Sequence, residues 1–205
     1  MISLRTLFAL SLAAGLPAAV IDGNYTPGAF TYPGSFGAFG AGPTTAIGQQ
    51  FTVTGGAWDN IGIHLPLSLT SGINLVNIQL VDDAGGLPGS TVLASFSLAI
   101  SGFQTDLSPV GLILNPGTYW LTVGAGAGDT QVRWFVNDTG VTSGTSPTAI
   151  YNNGSWINLP GGFTAAAYQI TGDSLATVSP TPEPGTFLVG LAAVGALALR
   201  RRSVQ

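Results

Sequence analysis

Residues 61–69 read Ile-Gly-Ile-His-Leu-Pro-Leu-Ser-Leu. Apolar side chains fall at every second position, namely Ile61, Ile63, Leu65, Leu67 and Leu69. Strict alternation of this length marks a strand with one buried face and argues against an amphipathic helix. Pro66 has no N–H to give a ladder, so it predicts an edge or a bulge there. The same period recurs on both sides. QQFTVT at 49–54 comes before. After come 75–81 (Val76, Ile78, Leu80), 92–100 (Val92, Ala94, Phe96, Leu98, Ile100), 112–114, 119–123 (Tyr119, Leu121, Val123) and 132–136 (Val132, Trp134, Val136). Two last strand signals lie near 155–158 and 163–171. Turn chemistry separates them, as in Asp82-Asp83-Ala84-Gly85-Gly86-Leu87-Pro88-Gly89 and Asn115-Pro116-Gly117. No helical stretch interrupts residues 20–180. The pattern predicts an all-β fold, an antiparallel β-sandwich of jelly-roll-like form.

Composition narrows the function classes. The chain has 205 residues, 45% hydrophobic and only 7% charged, against about 25% charged in an ordinary soluble domain. It has no Lys, and between residues 20 and 180 Arg133 is the only base against eight Asp. Nucleic-acid binding needs bases to displace counterions from phosphates, so that partner is excluded. The absence of Cys removes disulfides, thiolate metal sites and Cys nucleophiles.

Both ends carry targeting signals. Met1-Ile-Ser-Leu-Arg5, an apolar run over 7–16 and Pro17-Ala18-Ala19 form a secretory signal peptide over 1–19, cut near Ala18 or Ala19. Residues 20–48 are Gly-rich with spaced aromatics (Tyr25, Phe30, Tyr32, Phe36, Phe39), either a flexible arm or an irregular first strand laid along the sandwich. The sandwich itself is expected over 49–172 and a linker over 173–181. At 182–205 come Pro182-Glu183-Pro184, the uncharged run TFLVGLAAVGALAL at 186–199, and Arg200-Arg201-Arg202. A hydrophobic helix over 186–199 spans only about 21 Å of the roughly 30 Å hydrocarbon core. The three Arg extend its reach by snorkelling and hold its C-terminus on the cytoplasmic side.

This ordered terminus resembles the PEP-CTERM sorting signal of Gram-negative bacteria. The resemblance implies recognition by an exosortase-type processing enzyme that cuts near Pro182-Glu183-Pro184. The protein is then first held in the inner membrane and later found at the cell surface or outside the cell. A second resemblance runs through Gln50-Phe51-Thr52, the loop Asp83 to Gly89, Leu114-Asn-Pro-Gly117-Thr-Tyr119-Trp120-Leu121, Trp134, and Asn153-Gly154 with Trp156. These residues are similar to the exported choice-of-anchor domains, chiefly the R type.

No residue set in the sequence makes an enzyme. His64 is the only His, and parity places it opposite Ile63 and Leu65, facing outward. No G-x-S-x-G accompanies it, and one His without Cys cannot supply a zinc site, so neither metal nor cofactor is expected. Asp82 and Asp83 read as turn carboxylates, with calcium ligands beside the carbonyls of Gly85 and Gly86 as the alternative. Gly124-Ala-Gly126-Ala-Gly128-Asp129 lacks the third Gly of a dinucleotide loop and opens no helix, so it reads as a hairpin loop. Asn24-Tyr-Thr26, Asn137-Asp-Thr139 and Asn153-Gly-Ser155 fit the glycosylation pattern but read as turns. Trp120 and Trp156 either pack inside or stand exposed to stack on sugar rings. The expected role is structural, in the cell surface or biofilm matrix, with a carbohydrate-binding module and exopolysaccharide partner as the alternative.

Overall fold

The computed structural model describes residues 18–26, 38–42, 44–137, 139 and 141–175. They belong to one compact unit, Met1–Leu175. The second unit, Ala176–Gln205, lies outside the described residues, and so do residues 1–17 of the expected leader. The expected sorting motif Pro182-Glu183-Pro184, the helix expected at 186–199 and the Arg200–Arg202 cluster therefore lie outside them too.

Twelve strands form two antiparallel sheets packed as a β-sandwich, with no helix among the described residues. In chain order they are β1 (Ala19–Gly23), β2 (Ala38–Ala41), β3 (Thr45–Val53), β4 (Trp58–Ser71), β5 (Val76–Asp83) and β6 (Pro88–Leu98). There follow β7 (Gln104–Leu107), β8 (Gly117–Ala125), β9 (Gln131–Phe135), β10 (Thr148–Asn152), β11 (Ser155–Asn158) and β12 (Gln169–Ser174). One sheet runs β1-β12-β4-β9-β2, with β7 also paired to β4; the other runs β11-β10-β3-β8-β5-β6. Between them lies the core. Ile63, Leu65 and Leu67 of β4, Trp134 of β9 and Ile170 of β12 meet Ile47 and Phe51 of β3, Ile78 of β5 and Leu121 of β8. Phe51 stacks on Tyr119 with centroids 5.6 Å apart.

The 61–69 alternation is the inner face of β4, but Pro66 is not at an edge. It is buried within a 14-residue strand. β12 pairs with β4 as far as His64, and β9 takes over from Leu67. Pro66 falls in the gap between those partners, where its missing N–H breaks no rung of either ladder.

Several expectations are corrected. Val92 does not share the face of Ala94, Phe96 and Leu98. The register passes from Leu80↔Ala94 to Val81↔Val92, so Leu93 is an extra residue in a bulge and the parity flips. Residues 112–114 form only a bridge at Leu114 to Trp58. The 163–171 segment is irregular until Gln169, where β12 begins. The Gly124–Asp129 loop is not a hairpin, because β8 and β9 belong to different sheets. Residues 20–48 contribute β1, β2 and the start of β3, so the sandwich begins well before 49. At the other end β12 runs to Ser174, and Leu175 N–H still donates to the Ala57 carbonyl at 2.8 Å, which leaves less linker than expected.

β1 lies antiparallel to β12, with Ala19 opposite Gly172 and Gly23 opposite Gln169. The start of β1 and the end of β12 therefore lie at the same end of this strand pair.

Candidate functional site

The candidate site is a polar cleft where β10 leaves β3. β10 covers β3 only from Thr45 to Gln49. The N–H groups beyond that point face an open edge and need other acceptors. Gln50 N–H finds the Pro147 carbonyl at 2.9 Å, and Thr52 N–H finds Asp22 Oδ2 at 2.7 Å. Asp22 Oδ1 accepts its neighbour Gly23 N–H at 2.7 Å. The carboxylate thus joins the end of β1 to the other sheet and leaves a hollow beside it. The cleft holds about 300 Å³ between β1, β3 and the 141–147 loop.

Tyr168 forms the inner wall and tilts against Phe51, with centroids 6.3 Å apart. Its phenol lies against the Asp22 carboxylate and the Ser146 hydroxyl. Burial, and then the Asp22 charge, push the phenol above its ordinary value, so it stays a neutral hydroxyl. Gln50, Thr52 and Thr145 complete a rim of amides and hydroxyls. Gln49 braces the same loop from below: its amide N–H donates to Ser146 Oγ at 2.7 Å and to the Pro147 carbonyl at 3.0 Å. Its Oε1 accepts from Thr148 Oγ1 at 2.8 Å and from Ala166 N–H at 2.9 Å. With both ends of a buried amide used, the loop is held firmly.

Of the two candidate sugar-stacking residues, Trp120 is corrected: it is fully buried. It sits on the outer face of its sheet, roofed into a small second cluster with Val81, Ala149, Leu87 and Trp156. Its indole N–H donates to Asp83 Oδ1 at 2.7 Å. Gly48 makes room beneath, since a Cβ there would stand 2.9 Å from Pro88, 3.2 Å from Trp120 and 3.3 Å from Trp156. Trp156 is half-buried and meets Tyr151 edge-on at 5.3 Å. It keeps some exposed ring.

Asp82 and Asp83 accept N–H groups. Asp83 Oδ1 also takes the Gln50 amide at 3.0 Å, Oδ2 takes Gly86 N–H at 3.0 Å, and Asp82 Oδ1 takes Thr91 N–H at 3.0 Å. Burial acts to raise Asp83, but the bonds from Trp120, Gly86 and Gln50 outweigh it and hold the carboxyl below its ordinary value. Oxygens that already receive donors are poor cation ligands, so the calcium alternative loses its basis here. No group of three or more His, Asp or Glu side chains converges on a metal position among the described residues.

His64 faces outward as parity requires, yet it is not a free surface residue. Its Nδ1 lies 2.7 Å from Asp106 Oδ1, and its Nε2 lies 3.4 Å from Thr171 Oγ1. Gln104 donates to both Asp106 oxygens at 2.8 and 2.9 Å. Burial acts to raise Asp106, but the His64 and Gln104 bonds win and keep it lowered. The order carboxylate, imidazole, hydroxyl is that of a nucleophilic triad. Here it spans β7, β4 and β12 on an outer sheet face, where the surrounding backbone serves the ladders. We read it as a cross-strand clamp. Asp106 and Thr171 could not be paired with His64 from sequence, because they lie 42 and 107 residues away.

Two of the glycosylation-like triplets behave as turns; Asn24 does not, since its buried side chain donates to the Ala166 carbonyl at 2.9 Å and accepts the Tyr168 N–H at 2.9 Å. Asn137 Oδ1 accepts Thr139 N–H at 3.1 Å and Val141 N–H at 3.0 Å. Asn153 and Gly154, both at positive φ, turn β10 into β11. No protein-family model matches the chain, and no curated protein matches it.

Proposed function

We propose that this chain is an exported bacterial surface or extracellular-matrix protein, sorted through a C-terminal PEP-CTERM signal, with a structural role in surface or biofilm. The observation that carries this reading is the order of parts: leader, nearly uncharged β domain, Pro182-Glu183-Pro184, apolar run and terminal Arg cluster. In this reading the domain is jelly-roll-like, and the 186–199 segment is a helix that holds the precursor in the inner membrane. An exosortase-type enzyme then cuts near Glu183. A nearly uncharged chain suits a hydrated matrix, and the role requires no catalysis. Mass spectrometry of the surface-released protein should find a C-terminus between about residues 179 and 186. An intact Gln205 on the mature protein overturns the sorting reading.

A second reading is a carbohydrate-binding module of the cell surface. Two observations favour it: the polar cleft beside Asp22, and the partly exposed ring of Trp156 against Tyr151.

A further inference from the structure

We propose that the cleft between β1, β3 and the 141–147 loop binds a single unit of a neutral saccharide; the proposal rests on the second reading above and assigns it a site away from the tryptophans. Three features of the lining select this ligand class. First, among the described residues no base lines the cleft and one carboxylate does, so phosphate, sulfate and uronate groups are repelled. Second, Asp22 already accepts Gly23 and Thr52 N–H groups, which satisfies its charge locally and leaves little to hold a bare cation. Third, the rest of the rim is neutral: the Tyr168 phenol, the Ser146, Thr145 and Thr52 hydroxyls, and the Gln50 amide. Tyr168 already meets Asp22 and Ser146, Gln49 donates to Ser146, Thr145 donates to the Thr142 carbonyl and Gln50 donates to Asp83, so what these groups offer a ligand is their remaining lone pairs and the second Gln50 N–H. Hydroxyl groups of a sugar both donate and accept, and such a mixed rim can pair with them in either direction.

Size and rigidity agree with this assignment. About 300 Å³ is at the lower end of ligand cavities, room for one small ring and not for a chain lying lengthwise. The Gln49 amide pins the Ser146–Pro147 wall, and the Asp22–Thr52 bond pins the opposite one. A preformed wall costs less ordering on binding.

The test is titration of the full-length chain, in a sugar-free zwitterionic detergent, with D-glucose, D-galactose, D-mannose and N-acetylglucosamine, followed by saturation-transfer NMR and calorimetry. Each sugar is carried to about 50 mM, since a ligand of so few atoms commands at best weak affinity. Thr52→Trp fills the cleft from the β3 side, and Thr145→Trp fills it from the loop in case the first variant does not fold. Trp156→Ala tests the other surface. The proposal expects one of the four sugars to bind, a loss of about tenfold or more in affinity in whichever cleft variant folds, and unchanged affinity in Trp156→Ala. Binding lost in Trp156→Ala and kept in the folded cleft variants overturns the cleft while the carbohydrate reading stands. Failure of all four sugars to bind overturns both.

Discussion

Asp83 accepts the Trp120 indole N–H at 2.7 Å on the outer face of a sheet, where an aromatic residue would ordinarily meet water. The bond lets the ring be covered by Leu87 and Trp156, because its one polar atom is satisfied. The carboxylate also holds Gln50 of the cleft rim and Gly86 of its own turn.

Asp83→Ala should therefore lower stability by about 1–3 kcal/mol, the cost of leaving a buried N–H without an acceptor. Asp83→Asn should cost less, since its amide oxygen can still accept. Urea denaturation of the two variants measures this. A change within about 0.5 kcal/mol for the Ala variant, the range of an ordinary surface substitution, would show that the bond does not support the cluster.

Acid should loosen the fold in a defined window. Asp83 and Asp106 are both held below the ordinary Asp value in the folded state. The unfolded chain then binds more protons as pH falls, so their contribution is complete above the unfolded value of about 4 and fades as pH drops through the folded values. The denaturation midpoint should be level from about pH 7 to pH 5 and fall below that. Asp83→Asn should flatten part of the fall. A midpoint that rises on acidification would contradict the sign.

Gly72 is the most demanding backbone position. Its φ is +84°, and a Cβ would land on the carbonyl oxygen of Asp129. Gly72→Ala adds a left-handed penalty of about 1–2 kcal/mol and an overlap with backbone worth about as much again. The expected loss is at least about 2 kcal/mol, read from thermal or urea unfolding. Gly85→Ala, at φ +68° but with open space around it, should cost clearly less and serves as the comparison.

If the proposed sorting reading holds, replacing Arg200, Arg201 and Arg202 together by Ser should release the precursor. Each central Arg costs about 2.5–3.5 kcal/mol to insert, so three in a row halt passage of the tail. Without them a 14-residue apolar run should slip through, and uncut protein ending at Gln205 should appear in the periplasm or medium. Unchanged retention and cleavage would mean the apolar run anchors alone.

How much of this was open to inspection in the sequence depends on the distance over which each signal acts. β4, β5, β8 and β9 were readable because alternation is local and their inner faces are strongly apolar. β7 was not: Gln104-Thr-Asp-Leu107 has no apolar period and is a strand only because β4 offers it an edge. The Leu93 bulge was equally hidden, since a single inserted residue shows only against the partner strand. The cleft draws on residues 22 to 24, 50 to 52, 141 to 147 and 168, and nothing local marks any of them as belonging together. Two of its parts carry a sequence signal, Gln50-Phe51-Thr52 in a family resemblance and Asn24 in a glycosylation-like triplet, and neither signal marks a wall. Trp120 failed as an exposed platform because parity gave its face correctly but not the roof over it.

The adjacency of β1 and β12 has a mechanical consequence. Ala19 opposes Gly172, so the two ends of the domain are neighbouring strand ends running in opposite directions. A pull applied between them would load the cross-strand hydrogen bonds one rung at a time, the zipper geometry that yields at low force. A pull entering through Leu175 alone, resisted by drag on the body, runs along β12. There the rungs to both β1 and β4 share the load in shear. On the proposed export reading, removal of the leader near residue 18 or 19 would leave the pull through Leu175, so the load would fall on β12 in shear and the zipper geometry would not be used.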